Sequence, residues 1–156
     1  AVWNQNKASF NAKNNTTVTG MQYKAAEGFT LAFQNGWEKE AYTNGKIWQV
    51  ATLRPGKYRL EVTYAYTMVV SDAGNFISAL MAKGNSESDI PNVADIEQLN
   101  GVCAIYDKAG TNDDSGVLVT PSFEVTETTD VVIGFLTSLA KGNSYFKVTE
   151  LKLILE

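Results

Sequence analysis

The chain contains no histidine and a single cysteine, and no apolar stretch approaches the roughly 20 residues of a membrane-spanning helix. Lack of histidine removes the commonest general base and metal ligand, and with them Ser-His and Cys-His nucleophile schemes. One cysteine excludes an internal disulfide; within GVCAIY, Cys103 reads as a small buried residue whose thiol is suppressed by apolar surroundings. The 13 basic residues are scattered among 17 acidic ones for a net charge of −4, so there is no footprint for a phosphate backbone and nucleic acid is not an expected partner. The opening AVWNQNKASF lacks the basic and apolar segments of a signal peptide, and a start at Ala1 rather than Met fits a leader already removed or a trimmed chain. No linker, repeat or low-complexity tract divides the 156 residues. With 44% hydrophobic and 11% aromatic residues, residues 1–156 read as one domain with a real core.

What is present is strand alternation. In KYRLEVTYAYTMVV, Tyr58, Leu60, Val62, Tyr64, Tyr66, Met68 and Val70 share one face opposite Arg59, Glu61, Thr63 and Thr67, which predicts a long strand with one buried face. The same pattern predicts strands over 29–34, 46–53, 75–83, 101–107, 117–126, 130–138 and 144–156. Eight strands with almost no helical period imply an all-β fold, an antiparallel jelly-roll sandwich. In residues 86–100, Ile90, Val93, Ile96 and Leu99 recur every three positions, which suits one short amphipathic helix or a 3₁₀ turn. Arg54-Pro55-Gly56-Lys57 has type II turn chemistry and is placed to carry the chain round a corner between sheets. The apolar parity of the last strand switches between Val148 and Leu151, which predicts a β-bulge near Thr149-Glu150.

Antiparallel order sends successive connections to alternate ends of a sandwich. One end receives 54–56, 84–100 and 126–129; the other receives 35–45, 71–75, 108–116 and 140–143, which are richer in Gly, Asn and Asp. Loops gathered on a rigid scaffold are the usual place for a binding site. There Trp37, with Tyr42 nearby, can stack on the apolar face of a sugar while Asn and Asp bind its hydroxyls; the alternative is that Trp37 folds back to plug the sandwich. Trp48 lies inside a strand and reads as packing, and Trp3 is too near the chain start to assign. Asp113 and Asp114, with Asp72 and Asp107, are hard oxygen ligands that suit a structural calcium ion, but their spacing misses the EF-hand pattern and reads better as a solvated turn. No acidic pair stands out as the two facing carboxyls that glycoside hydrolysis uses.

The run KIWQVATLRPGKYRLEV, followed by SFEVTETTDVVIGF and a closing YFKVTELKLI, resembles a family of uncharacterised β-sandwich modules. These occur near the C-terminal ends of secreted and outer-membrane lipoproteins of gut Bacteroidetes and have the galactose-binding-like jelly-roll fold. The resemblance covers about residues 29–156 in layout. It implies an exported module of a larger protein, held at the extracellular or outer-membrane surface through lipoprotein anchoring and neighbouring domains, and engaged in glycan recognition. It brings no catalytic residues: the matched Trp48, Gln49, Leu53, Pro55, Gly56, Tyr58, Gly134 and Phe135 are fold positions.

The expected function is therefore a non-catalytic carbohydrate-binding module with no required cofactor. Its partner would be a glycan or oligosaccharide, with Trp37 and Tyr42 stacking and Asn35, Asn44, Asp72 and Asn112 as polar contacts. The alternatives are a structural or protein-interaction module of a surface lipoprotein and, behind that, a glycoside hydrolase.

Overall fold

The computed structural model describes residues 2–6, 10–13, 17–23, 30–35, 41–71, 73–140 and 143–156, with 10–13, 17–23 and residue 35 described by backbone. Its strands are β1 (Asn4–Gln5), β2 (Phe10–Lys13), β3 (Thr17–Tyr23), β4 (Leu31–Asn35), β5 (Tyr42–Leu53), β6 (Gly56–Met68), β7 (Phe76–Lys83), β8 (Gly101–Ile105), β9 (Asp114–Val119), β10 (Phe123–Val125), β11 (Thr129–Leu139) and β12 (Ser144–Leu155). A five-stranded sheet in the order β1-β5-β11-β7-β8 faces a seven-stranded one in the order β10-β6-β12-β4-β3-β2, with β9 also on β6. Every pairing among them is antiparallel, and the fold is the jelly-roll β-sandwich expected. The eight predicted strands are all present. The polar segments of β1 to β3 add three more, and the predicted 117–126 strand splits where Thr120 turns inward ahead of Pro121.

Between the sheets lies a core in which Leu31, Phe33, Leu60, Val62, Phe146 and Val148 from one side meet Ile47, Ala79, Met81, Val131 and Phe135 from the other. Phe33 stands 5.0 Å from Phe135 and 5.9 Å from Phe146, and Tyr64 stands 5.0 Å from Phe146. Each such aromatic pair contributes about 0.5–1.5 kcal/mol beyond the area it buries. The segment Leu53 to Tyr58 carries the chain from one sheet to the other, as its Pro-Gly pair predicted, and the Tyr58 hydroxyl donates to the Arg54 carbonyl at 2.7 Å to brace the corner. The turn is not type II: among the described residues the positive-φ glycines are Gly84 and Gly110, so Gly56 does not take the left-handed conformation that type requires. The bulge predicted in β12 is present as a register shift between Val148 and Glu150.

Two departures matter for function. In β6 the inward parity holds from Tyr58 to Tyr64 and then breaks, so that Thr67 and Val69 are buried and Tyr66, expected inside, is exposed. The other is the 84–100 segment, assigned by parity to one end of the sandwich. It instead runs as a strap over the outer face of the five-stranded sheet, through 3₁₀ turns at Glu87–Asp89 and Val93–Gln98. Ile90, Val93, Ile96 and Leu99 cover Trp48, Leu80, Ala82, Val132 and Leu136, so the three-residue period is the apolar face of this strap and Trp48 is packing. Two polar ties fix it: the buried Lys46 ammonium donates to the Ile90 carbonyl at 2.6 Å, and the Asn44 Oδ1 accepts from the Val93 amide at 2.8 Å. Burial pulls the Lys46 pKa below its ordinary value, with Glu87 partly opposing.

Beneath Trp48, Gly134 lets β5 and β11 close fully: a Cβ there would strike the Ile47 carbonyl oxygen and come within 2.7 Å of the Trp48 Cα. Gly134→Ala should therefore cost about 1–3 kcal/mol of unfolding free energy. Urea denaturation checks this; an unchanged midpoint would mean that the two strands have room to part.

Candidate functional site

The sequence places polar and aromatic residues at the loop end of the sandwich, and the structure shows how far each is already engaged. Tyr42 is 8% exposed, a core residue whose hydroxyl meets the Thr137 hydroxyl at 2.8 Å; burial pushes its phenol pKa well up. A ring so placed has no free face for a sugar. Asn44, in the left-handed region at φ 56°, ties three elements together: its amide donates to the Ser138 hydroxyl at 2.9 Å, its carbonyl accepts from Asn6, and its side chain holds the strap. Asn112 is exposed in the turn before β9. Asn35 ends β4 opposite Ser144, and Trp37 and Asp72 lie outside the described residues.

Other polar groups at this end are likewise spent on structure. Asn75 donates to the Val70 carbonyl at 2.6 Å and accepts from the Ala140 amide at 2.7 Å. The Tyr106 hydroxyl donates to Asp114 at 2.7 Å and meets Thr111 at 3.2 Å, while Lys108 lies 3.8 Å from the same carboxylate. Burial, with Asp114 adding to it, raises the Tyr106 phenol to about 12. Asp114 is thus engaged by Tyr106 and Lys108; among the described residues no group of three His, Cys, Asp or Glu side chains is placed to hold a metal ion, and Asp72 lies outside them. Trp3 packs against Phe135 at 6.4 Å.

A different arrangement lies just below this end, on the outer face of the seven-stranded sheet. A shallow cleft of about 290 Å³ is lined by Gln34, Tyr66, Asp113, Tyr145 and Lys147. Its origin is a bulge in β6. Going from Lys147 to Tyr145 in β12 spans two residues, whereas the partners in β6 run from Ala65 to Met68; the same extra residue appears against β9, where Tyr64 to Thr67 faces Gly116 to Asp114. The added residue turns Tyr66 outward at φ 53° and 64% exposure. Thr67 fills the vacated inward position, and its hydroxyl accepts from the Lys147 amide and donates to the Ala65 carbonyl, both at 3.4 Å. A bulky residue in the left-handed region costs about 1–2 kcal/mol, strain of a kind that collects at functional sites.

Around Tyr66 the side chains are uncommitted. Gln34, Tyr66 and Asp113 make no side-chain hydrogen bond or ion pair among the described residues, and Lys147 has no carboxylate partner there; its ammonium sits 5.9 Å from the centre of the Tyr145 ring. Farther along the same face the surface is closed off by charge pairs, Arg59 with Glu61 at 2.8 Å and Lys152 with Glu150 at 3.3 Å. The sheet therefore presents an ion-paired half and an aromatic half with free donors and acceptors. Asn35 and Asn112 are the chain neighbours of Gln34 and Asp113 and are not among the residues lining this cleft.

A family model matches residues 1–134. The chain belongs to the family described as Domain of unknown function (DUF5013). A comparison with curated proteins gave no match. Among solved structures the chain is similar to the carbohydrate-binding module TmCBM61, determined in complex with β-1,4-galactotriose: TM-score 0.52 and 14% identity over 99% of this chain and 88% of that one. At that identity the likeness is one of fold, and it is the β-sandwich described above. The matched family region contains Gln34, Tyr66 and Asp113, while Tyr145 and Lys147 lie after it.

Glycine takes the left-handed conformation without penalty and alanine does not, so Tyr66→Gly should be about 1 kcal/mol more stable than Tyr66→Ala. Equal stabilities of the two variants in chemical denaturation would mean that the bulge carries no strain.

Proposed function

We propose that the protein is a non-catalytic carbohydrate-binding module whose ligand, a glycan or oligosaccharide, sits in the cleft of Tyr66, Tyr145, Gln34, Asp113 and Lys147. One observation carries the reading: a strained bulge holds an aromatic ring out of the core, beside polar side chains that the fold leaves unused. An exposed ring supplies apolar surface for a sugar face, while amide, carboxylate and ammonium groups hydrogen-bond its hydroxyls. The fold shared with a module solved with β-1,4-galactotriose supports the same ligand class. Binding is favoured over cleavage because Asp113 is the one carboxylate lining the cleft among the described residues, whereas glycoside hydrolysis uses two that face each other. Asn35, Trp37, Asp72 and Asn112 are proposed as further ligand contacts on the grounds of their sequence chemistry, and Asn44 and Tyr42 as supports from within the fold. The setting that goes with this reading is an exported module of a larger protein, held at the cell surface beside neighbouring domains.

A second reading, a module that docks other proteins, rests on Val117 and Val119, both about half exposed on β9, which pairs with β6 alone.

A broad glycan-array screen followed by calorimetry tests the proposal. The wild type should bind at least one glycan class, Tyr66→Ala should weaken that binding about tenfold or more, and Val50→Ala, on the other sheet, should leave it unchanged. Failure of the wild type across the panel, or full binding by the Tyr66 variant, would contradict it.

A further inference from the structure

The cleft residues come from neighbouring strands at one level. Gln34 in β4 faces Tyr145 in β12, Tyr145 faces Met68 in β6, and Thr67 of β6 faces Asp114 at the start of β9. Across the sheet the order is thus Gln34, then Tyr145 with Lys147, then Tyr66, then Asp113. Adjacent strands lie ~4.8 Å apart, so the row from Gln34 to Asp113 spans about 14 Å. One sugar-binding group per strand has a repeat close to the advance of one pyranose unit along an extended chain.

Beyond Asp113 the sheet ends at β9, and beyond Gln34 the row continues through Gly20 of β3 to Phe10 of β2, both described by backbone. One step along the strands, Lys147 is paired across the sheet with Ala32 of β4 and Ala65 of β6, two small residues. A pocket for a chain terminus is walled on several sides; past Asp113 this row meets no further strand.

Building on the glycan reading, we infer that the cleft takes an internal stretch of an extended linear glycan lying across the strands, its sugar units in step with them. Tyr66 stacks on a central unit. The Tyr145 ring steadies the Lys147 ammonium, which donates to hydroxyls of the unit on one side, and Gln34 lies beyond it. Asp113 accepts from hydroxyls on the far side.

Size ladders of one to six units from β-1,4-glucan, β-1,4-xylan, β-1,4-mannan and β-1,4-galactan, titrated into the intact protein by calorimetry, test this. Affinity for the ladder that binds should rise at least tenfold from one unit to three or four and then level. Reducing the terminal sugar of the hexamer should leave its affinity unchanged. Gln34→Ala and Asp113→Gly, the latter compatible with the φ of 58° at that position, should each weaken the tetramer more than the dimer. Tight binding of a monosaccharide, or loss of hexamer binding on end reduction, would overturn the inference while leaving the protein a glycan binder. Silence of every ladder, with no other glycan bound on the array, would remove the glycan reading and this inference together.

Discussion

The aromatic contact between the two sheets is the constraint on which the other features depend. Phe33 reaches inward from one sheet to Phe135 of the other and stacks beside Phe146 of its own sheet, and Tyr64 and Tyr106 close the cluster at its loop end, 5.2 Å apart and nearly perpendicular. Close packing leaves little freedom at that level. Once Tyr64 has filled the space beside Phe146, the next inward position takes only a small side chain. Thr67 is fully buried there, and its hydroxyl partly replaces ladder bonds lost at the bulge. Tyr66 is the residue left over, and it turns out.

The two outer faces are finished in opposite ways. The five-stranded sheet is closed by the 84–100 strap, whose apolar side chains, Lys46 and Asn44 leave Trp48 covered. Cys103 belongs to this layer, half buried, its thiol pushed up by desolvation. No strap covers the described part of the other outer face. It relies on charge pairs for half its length and leaves the half nearest the loops aromatic and unpaired. A soluble surface tolerates an exposed ring, but one held out at the cost of backbone strain, among free hydrogen-bonding groups, points to a ligand.

Much of this was legible in the sequence, for identifiable reasons. Alternation located the strands, Pro55-Gly56 the corner, the parity switch after Val148 the bulge in β12, and the three-residue step of Ile90, Val93, Ile96 and Leu99 the apolar side of the strap. The β6 bulge left no such trace. Tyr66, Met68 and Val70 continue the apolar parity of Tyr64 without interruption, so only the packing around Phe146 determines that the chain slips by one residue. The strap's path was likewise invisible, because connection parity fixes where a segment starts and ends and says nothing about the face it crosses. Of the site residues the sequence suggested, Asn35 and Asn112 are the chain neighbours of Gln34 and Asp113, whereas Tyr42 and Asn44 carry the same hydrogen-bonding chemistry and use it to hold the fold together.

The proposed binding face is the aromatic half of the seven-stranded sheet. The most direct measurement is nuclear magnetic resonance of the isotope-labelled protein, titrated with a glycan that binds it. The account predicts the largest shift changes at Gln34, Ala65, Tyr66, Tyr145 and Lys147, with little change in the strap residues Ile90 to Leu99. Changes confined to the strap or to the loop end, with Tyr66 and Tyr145 unmoved at saturation, would contradict it.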